Sequence, residues 1–342
     1  MYSDARAVDQ AIKALARKDS AWATDSQVHR RLETLFRDRL LSRVFSDGDS
    51  SPWLLKGGSG ILARIPNGRR THDADIQINA GQIDSATEEL QRLLNRDLGD
   101  HMRFELRHQD DITGQEGAIT AGRGLTFSTF IGKKRVNDSH IDLVIAPPPT
   151  GKIECFDPVG LPRLDKLQSH PYRLYPVVDQ IADKICAMHS TFGNRESSRE
   201  KDLVDLVALT RTQHFNADEL RVAIATAFYR RGEEMPARIT APASWGIAFT
   251  KLARQTPICH DVTDINDALS EVRSCLEPAL TQETRGAVWS STSGWKQLAA
   301  NTDLTANTDS ASSTHGEIWV EEHMRNGKLI EGHWRRRATR SN

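Results

Sequence analysis

The hydrophobic pattern changes period along the chain. Residues 27–45 carry Val28, Leu32, Leu35, Phe36, Leu40 and Val44 against a charged opposite face, which predicts an amphipathic helix. A weaker pattern of the same kind predicts a helix over 5–17. PWLLK at 52–56 reads as a short buried segment running into glycines. Residues 73–78, DADIQI, alternate and predict a strand. Residues 84–98 predict a helix with Leu90, Leu93, Leu94 and Leu98 on one face, and Ser85 three before Glu88 has the form of a capping box. Three alternating segments, 102–107, 124–131 and 139–146, predict strands. Pro147-Pro148-Pro149 ends the last, because proline cannot donate to a ladder.

From about residue 176 the period becomes helical. Helices are predicted over 177–192, 199–211, 217–230, 244–254 and 263–277. The expected organisation is an α/β (α+β) chain. A lobe with a small mixed sheet spans 1–165, and a helical lobe spans 166–300. Residues 301–316 are polar and low in complexity, and read as a flexible linker. Residues 317–342 read as a small basic hairpin tail, with Asn326-Gly327 as the turn signal. The triplets His323-x-Arg325 and His333-x-Arg335 fall one on each proposed strand.

Composition narrows the function classes. The chain has 342 residues, 38% hydrophobic and 27% charged, enough for a sizeable core. A net charge of −1 gives no bulk field for nucleic acid, so such binding needs a local patch. The four cysteines, Cys155, Cys186, Cys259 and Cys275, form no CxxC pair and read as buried free thiols. The first residues do not have the form of a signal peptide, and no apolar run reaches membrane-span length. The expectation is a cytoplasmic protein without membrane contact.

The candidate chemistry begins at KGGSGILARIPNGRRTHDAD. Gly57-Gly58-Ser59 is a turn that admits a phosphate to backbone amides, and a following helix would aim its N-terminus at the anion. By itself it is also an ordinary loop, and no GK[ST] makes it a Walker motif. Asp73 and Asp75 leave one face of their strand while Ala74, Ile76 and Ile78 leave the other. Two such carboxylates repel unless a cation lies between them, and Mg²⁺ suits that role; the pair also fits a solvated strand end. Asp142 alternates against Ile141, Leu143 and Ile145, so an adjacent strand would bring it beside the pair. Arg69 and Arg70 precede the strand as phosphate clamps or solvated charges. Lys184 flanks the apolar stripe of its helix and reaches a cleft as a point charge. Asp202 and Asp205, three apart, share a helical face from which to pair with Lys184, orient a hydroxyl, or act as a base.

In order, these pieces resemble the AbiEii/MenT-type nucleotidyltransferase toxins of the DNA polymerase β-like superfamily. The resemblance runs over roughly residues 28–280 through LLKGGSGILARI, GRRTHDADIQI, HIDLVI, VVDQIADKICAM, SREKDLVDLVAL and MPARITAPASWGIAF. It implies a nucleotidyltransferase lobe, a helical lobe and a site between them. It also implies an NTP substrate with Mg²⁺, nucleotide transfer to the 3′ end of tRNA that blocks translation, and a cognate antitoxin. Carried over, Ser59 with Gly58 would hold the triphosphate, and Asp73 and Asp75 the metal. Lys184 would bind phosphate, Asp202 or Asp205 would complete the site, and Arg238 would contact the nucleotide. Gly60 after the serine departs from the pattern, and the linker and tail lie outside the family core. Three alternatives stand beside this reading. They are transfer to a protein or small-molecule acceptor, a non-catalytic nucleotide-binding protein, and a tail-driven interaction module.

Overall fold

The computed structural model describes residues 2–18, 25–112, 121–164, 166–189, 199–262, 264–297 and four strands between 317 and 336. The expected linker, 301–316, and the Asn326-Gly327 turn lie outside the described residues. Two compact units result, Met1–Leu298 and Ala299–Asn342.

In the first unit, helices α1 (Ala5–Arg17) and α2 (Asp25–Val44) lead into the short strand β1 (Leu54–Lys56). Helix α3 (Gly57–Arg64) follows without a linker, then β2 (Asp73–Ile78) and α4 (Ile83–Leu94). Strands β3 (Met102–Asp111), β4 (Ala121–Ile131), β5 (Lys134–Ile145), β6 (Glu154–Phe156) and β7 (Tyr172–Leu174) complete a seven-stranded sheet ordered β3-β4-β5-β2-β1-β7-β6. It is mixed: β2 runs parallel to β5 and β1 parallel to β7, with the other neighbours antiparallel. The chain then forms α5 (Val177–His189), α6 (Glu200–Thr212), β8 (Phe215–Asn216) and α7 (Ala217–Arg230). Helices α8 (Gly246–Arg254) and α9 (Ile265–Leu280) and strands β9 (Ala287–Ser290) and β10 (Gly294–Gln297) follow, with β8, β9 and β10 pairing as a small antiparallel sheet.

Two apolar clusters account for the packing. Val8, Leu40, Leu90, Ile76 and Leu143 belong to one, which joins α1, α2 and α4 to a face of the large sheet. Ile181, Leu206, Ile224 and Val272 belong to the other, which joins α5, α6, α7 and α9. Helix α3 is shared: Ile61 and the C-cap residue Ile65 enter the helical cluster, and Ala63 enters the sheet cluster.

Several expectations need correction. Ser85 caps nothing, because α4 begins a turn earlier, with Gln82 as its N-cap and no side-chain cap bond. Cys155 is exposed, with its thiol 2.7 Å from an Asp49 carboxylate oxygen, whereas Cys186, Cys259 and Cys275 are buried as expected. Strand β7 lies beyond residue 165 yet pairs with β1. In the second unit, β11 (Glu317–Val320) pairs with β14 (His333–Arg336), and β12 (His323–Arg325) with β13 (Lys328–Ile330). The two His-x-Arg triplets therefore lie on strands that pair with different partners, not on one hairpin.

Candidate active site

Register places the carboxylates. Asp75 of β2 lies opposite Lys56 of β1 on one side and Asp142 of β5 on the other, and Asp73 lies opposite His140. Ala74 and Ile76 are buried in the sheet cluster, so period-two alternation turns Asp73 and Asp75 to the other face. Ile141 and Leu143 do the same for Asp142. The sequence expectation of three carboxylates on one face of neighbouring strands is thus met by the backbone.

Electrostatics mark this face as unbalanced. Burial raises the Asp75 carboxyl to about 6; the charge on Asp142 adds to this, Lys56 and Lys184 oppose it, and Asp73 adds further. Asp142 is raised as well, by burial first and by Asp73 second, with His140 and Lys201 in opposition. As placed, no three His, Cys, Asp or Glu side chains among the described residues close into a metal cage. The donor set nevertheless suits a small hard cation, which takes one or two protein carboxylates and fills its remaining positions with phosphate oxygens and water. The mutual repulsion of Asp73, Asp75 and Asp142 is what such an ion relieves.

Glycine adjacency explains the turn before the helix. Gly57 has φ +56°, and a Cβ there would come 2.1 Å from an Asp75 carboxylate oxygen, so only glycine fits. The N-terminus of α3 therefore abuts Asp75. Gly58 is the second residue of this helix, beside Thr71. Ser59 is buried, and its hydroxyl donates to the Asp73 backbone carbonyl at 2.5 Å. That bond fixes the start of β2 against the helix. Gly60, unexpected after the serine, packs on α5: a Cβ would meet the Gln180 amide nitrogen at 2.7 Å.

A buried ion network faces the carboxylates from the helices. The Lys184 ammonium donates to Asp202 at 2.9 Å and to Asp205 at 2.6 Å. Arg69 donates to both oxygens of Asp205, from Nε at 3.2 Å and Nη2 at 2.9 Å. Burial alone would lower the Lys184 pKa, but Asp205 and Asp202 reverse this and raise it. Burial likewise works against the Asp205 carboxylate, but Lys184 and Arg69 hold it below the usual range. One Asp202 oxygen, Oδ2, is buried without a hydrogen-bond partner.

The two arginines before β2 part company. Arg69 joins the network, while Arg70 pairs with Glu33 of α2. Arg238 is placed elsewhere: it is largely exposed, its guanidinium lies 4.0 Å from Glu277 of α9, and its carbonyl lies 3.3 Å from the His189 ring. Two contributors escaped the sequence reading. Lys56 spans from Asp183, at 3.4 Å, to the Tyr175 ring, 5.0 Å from its centroid, and its charge reaches Asp75. Arg37 of α2 donates to the Thr71 carbonyl at 2.7 Å and holds the loop entering β2. A lysine ending an apolar run just before glycines was the available sign for Lys56; nothing local distinguishes Arg37.

Three solved structures are similar to the chain at low identity. MenT4, a nucleotidyltransferase toxin from Mycobacterium tuberculosis H37Rv, is 13% identical over 79% of this chain and 98% of its own, with a TM-score of 0.46. JHP933 from Helicobacter pylori is 10% identical over 75% and 95%, with a TM-score of 0.41. A putative nucleotidyltransferase from H. pylori is 11% identical over 76% and 99%, also at 0.41. No curated protein matches the chain. The sequence model of the family described as "Nucleotidyl transferase AbiEii toxin, Type IV TA system" matches residues 39–311. The chain belongs to this family of nucleotidyltransferase toxins.

Proposed function

We propose that the chain is a Mg²⁺-dependent toxin that moves a nucleotide from an NTP to the 3′ end of tRNA, releases pyrophosphate and so blocks translation. The observation that carries this is the excess negative charge on one face of β2 and β5, set against the N-terminus of α3 and the Lys184 network. Asp73, Asp75 and Asp142 would hold the ion. When bound, it would neutralise charge on the phosphates and lower the pKa of a bound hydroxyl.

The chain's own groups divide the remaining work. The backbone amides of Gly58 and Ser59 at the start of α3 bind phosphate oxygens. Lys184 and Arg69 supply fixed positive charge facing the carboxylates, and Asp202 and Asp205 hold both in place. The acceptor 3′-hydroxyl attacks the α-phosphorus in line, its proton passes to a carboxylate oxygen of the trio, and the bond to pyrophosphate breaks. Positioning and charge neutralisation provide the acceleration. The two apolar clusters support a sheet lobe that runs on through β7, past the expected boundary at 165, and a helical lobe from α5 onward, with α3 keyed into both. Among the described residues no helix is long and apolar enough to cross a membrane. That suits work on tRNA in the cytoplasm, under the control of a cognate antitoxin.

The test is incubation with total tRNA, Mg²⁺ and each NTP in turn, labelled at the α-phosphate, beside Asp73→Ala. Label on tRNA from one NTP, absent with the variant, is the expected result. Label on protein instead would move the acceptor to a polypeptide. No label on either, with wild-type toxicity retained by Asp73→Ala, would contradict nucleotidyl transfer.

A further inference from the structure

A cavity opens beside α3. Its volume is about 580 Å³, within the range of small-molecule sites. Ser59 and Arg37 line both this cavity and the carboxylate site's surroundings, but none of Asp73, Asp75, Asp142, Lys184, Asp202 and Asp205 does. Its other walls come from α1, α2 and the segment around residues 158–163.

The lining combines basic and apolar side chains. Lys18, Arg30, Arg31, Arg37 and Arg163 all line it, against a single acid, Asp38. Asp38 is buried and accepts a hydrogen bond from the Tyr172 hydroxyl at 2.7 Å, and its burial disfavours the charged form. Among the described residues, Arg31 and Arg37 bond backbone carbonyls rather than carboxylates, at 2.7 Å to Lys18 and 2.7 Å to Thr71. Arg163 pairs with Asp157 through Nη1 at 2.9 Å, but its Nε and Nη2 are buried without a hydrogen-bond partner. Buried guanidinium donors are satisfied in folded proteins as a rule, so these two are short of an acceptor. Leu62, Val159 and Leu161 supply apolar surface next to them.

We propose that this cavity is a second anion site, built for a small organic phosphate of nucleotide size and distinct from the carboxylate site. Guanidinium donors left without an acceptor, as Nε and Nη2 of Arg163 are, suit phosphate oxygens, which a guanidinium binds bidentately. The apolar lining, Leu62, Val159 and Leu161, takes the organic part. No carboxylate cluster lies here, so binding needs no divalent ion. That separates it from nucleotidyl transfer, which EDTA removes, and the two readings stand or fall independently.

The experiment is calorimetric binding of ADP to the full chain in EDTA. Wild type and Asp75→Asn should bind alike, within about twofold, since the sites are separate. The double variant Arg30→Glu, Arg163→Gln should bind at least about tenfold more weakly, and the single Arg30→Gln should show a smaller loss in the same direction. Inorganic pyrophosphate should compete at least about tenfold less well than ADP, because it leaves the apolar lining bare. Three outcomes overturn the proposal. They are no ADP binding in EDTA, whether or not a short RNA oligonucleotide binds there instead, loss of binding in Asp75→Asn, and equal competition by pyrophosphate.

Discussion

Asp100 and Asp75 are both aspartates drawn into the protein, and they are treated in opposite ways. Asp100, fully buried, receives Arg43 at 2.7 and 3.0 Å and Arg39 at 2.8 Å, and Met102 donates its backbone N–H at 3.0 Å. Burial would raise its carboxyl, but Arg43 and Arg39 pull it below the usual range. Asp75 sits between a lysine and another aspartate, and its carboxyl rises to about 6. The first is a closed structural clamp between α2 and the start of β3. The second carries uncompensated charge facing a helix N-terminus. The fold neutralises a fully buried carboxylate thoroughly at one place and leaves a half-buried one short of positive charge at another, which is the place the proposed function gives to a bound cation.

The largest expected effect comes from breaking the clamp. Arg43→Ala leaves Asp100 buried with one guanidinium and removes the stacking of Arg43 on Phe104, 5.1 Å from the ring centroid. Denaturant unfolding should show a loss of about 3–5 kcal/mol. Lys184→Ala should cost less, about 2–3 kcal/mol, because Arg69 still pairs with Asp205 while Asp202 loses its bond. Its transfer activity should fall much further than its stability. Asp75→Asn should act in the opposite sense and raise the stability of the metal-free protein by about 1–2 kcal/mol, since a neutral amide escapes both burial and repulsion.

The same contrast appears in pH. The folded pKa of Asp75, about 6, exceeds its ordinary 3.8. Its favourable contribution is therefore present below 3.8 and lost as pH rises through about 6. Asp100, held low, contributes above 3.8, and that contribution is lost as pH falls through its depressed value. In EDTA, Asp75→Asn should flatten the decline in stability between these limits and leave the acid limb unchanged. Unfolding curves across this range measure both limbs.

What the sequence revealed depended on whether the signal was local. DADIQI predicts β2 to the residue, because alternation is carried by the strand itself. Asp142 was expected beside the pair, and register with β2 puts it opposite Asp75. Helical spacing put Asp202 and Asp205 on one face, and of the three roles left open there the structure shows the pairing with Lys184. Three-residue strands gave no period to detect, so Lys56 passed as the end of a buried segment and β7 passed unnoticed. Arg69 and Arg70 are neighbours in sequence, and only the packing of α2 and α6 decides that one reaches Glu33 and the other Asp205. Ser85 had the form of a cap, but the chain had already entered the helix.

The most direct test is the melting temperature of wild type and Asp75→Asn, each in EDTA and each with Mg²⁺ and a non-hydrolysable NTP. The account predicts a reversal: the variant melts higher in EDTA, and the wild type melts higher with Mg²⁺ and nucleotide. A variant that melts lower in EDTA, or an order unchanged by the ligands, would contradict the claim that Asp75 is held in an unfavourable charged state for a bound cation.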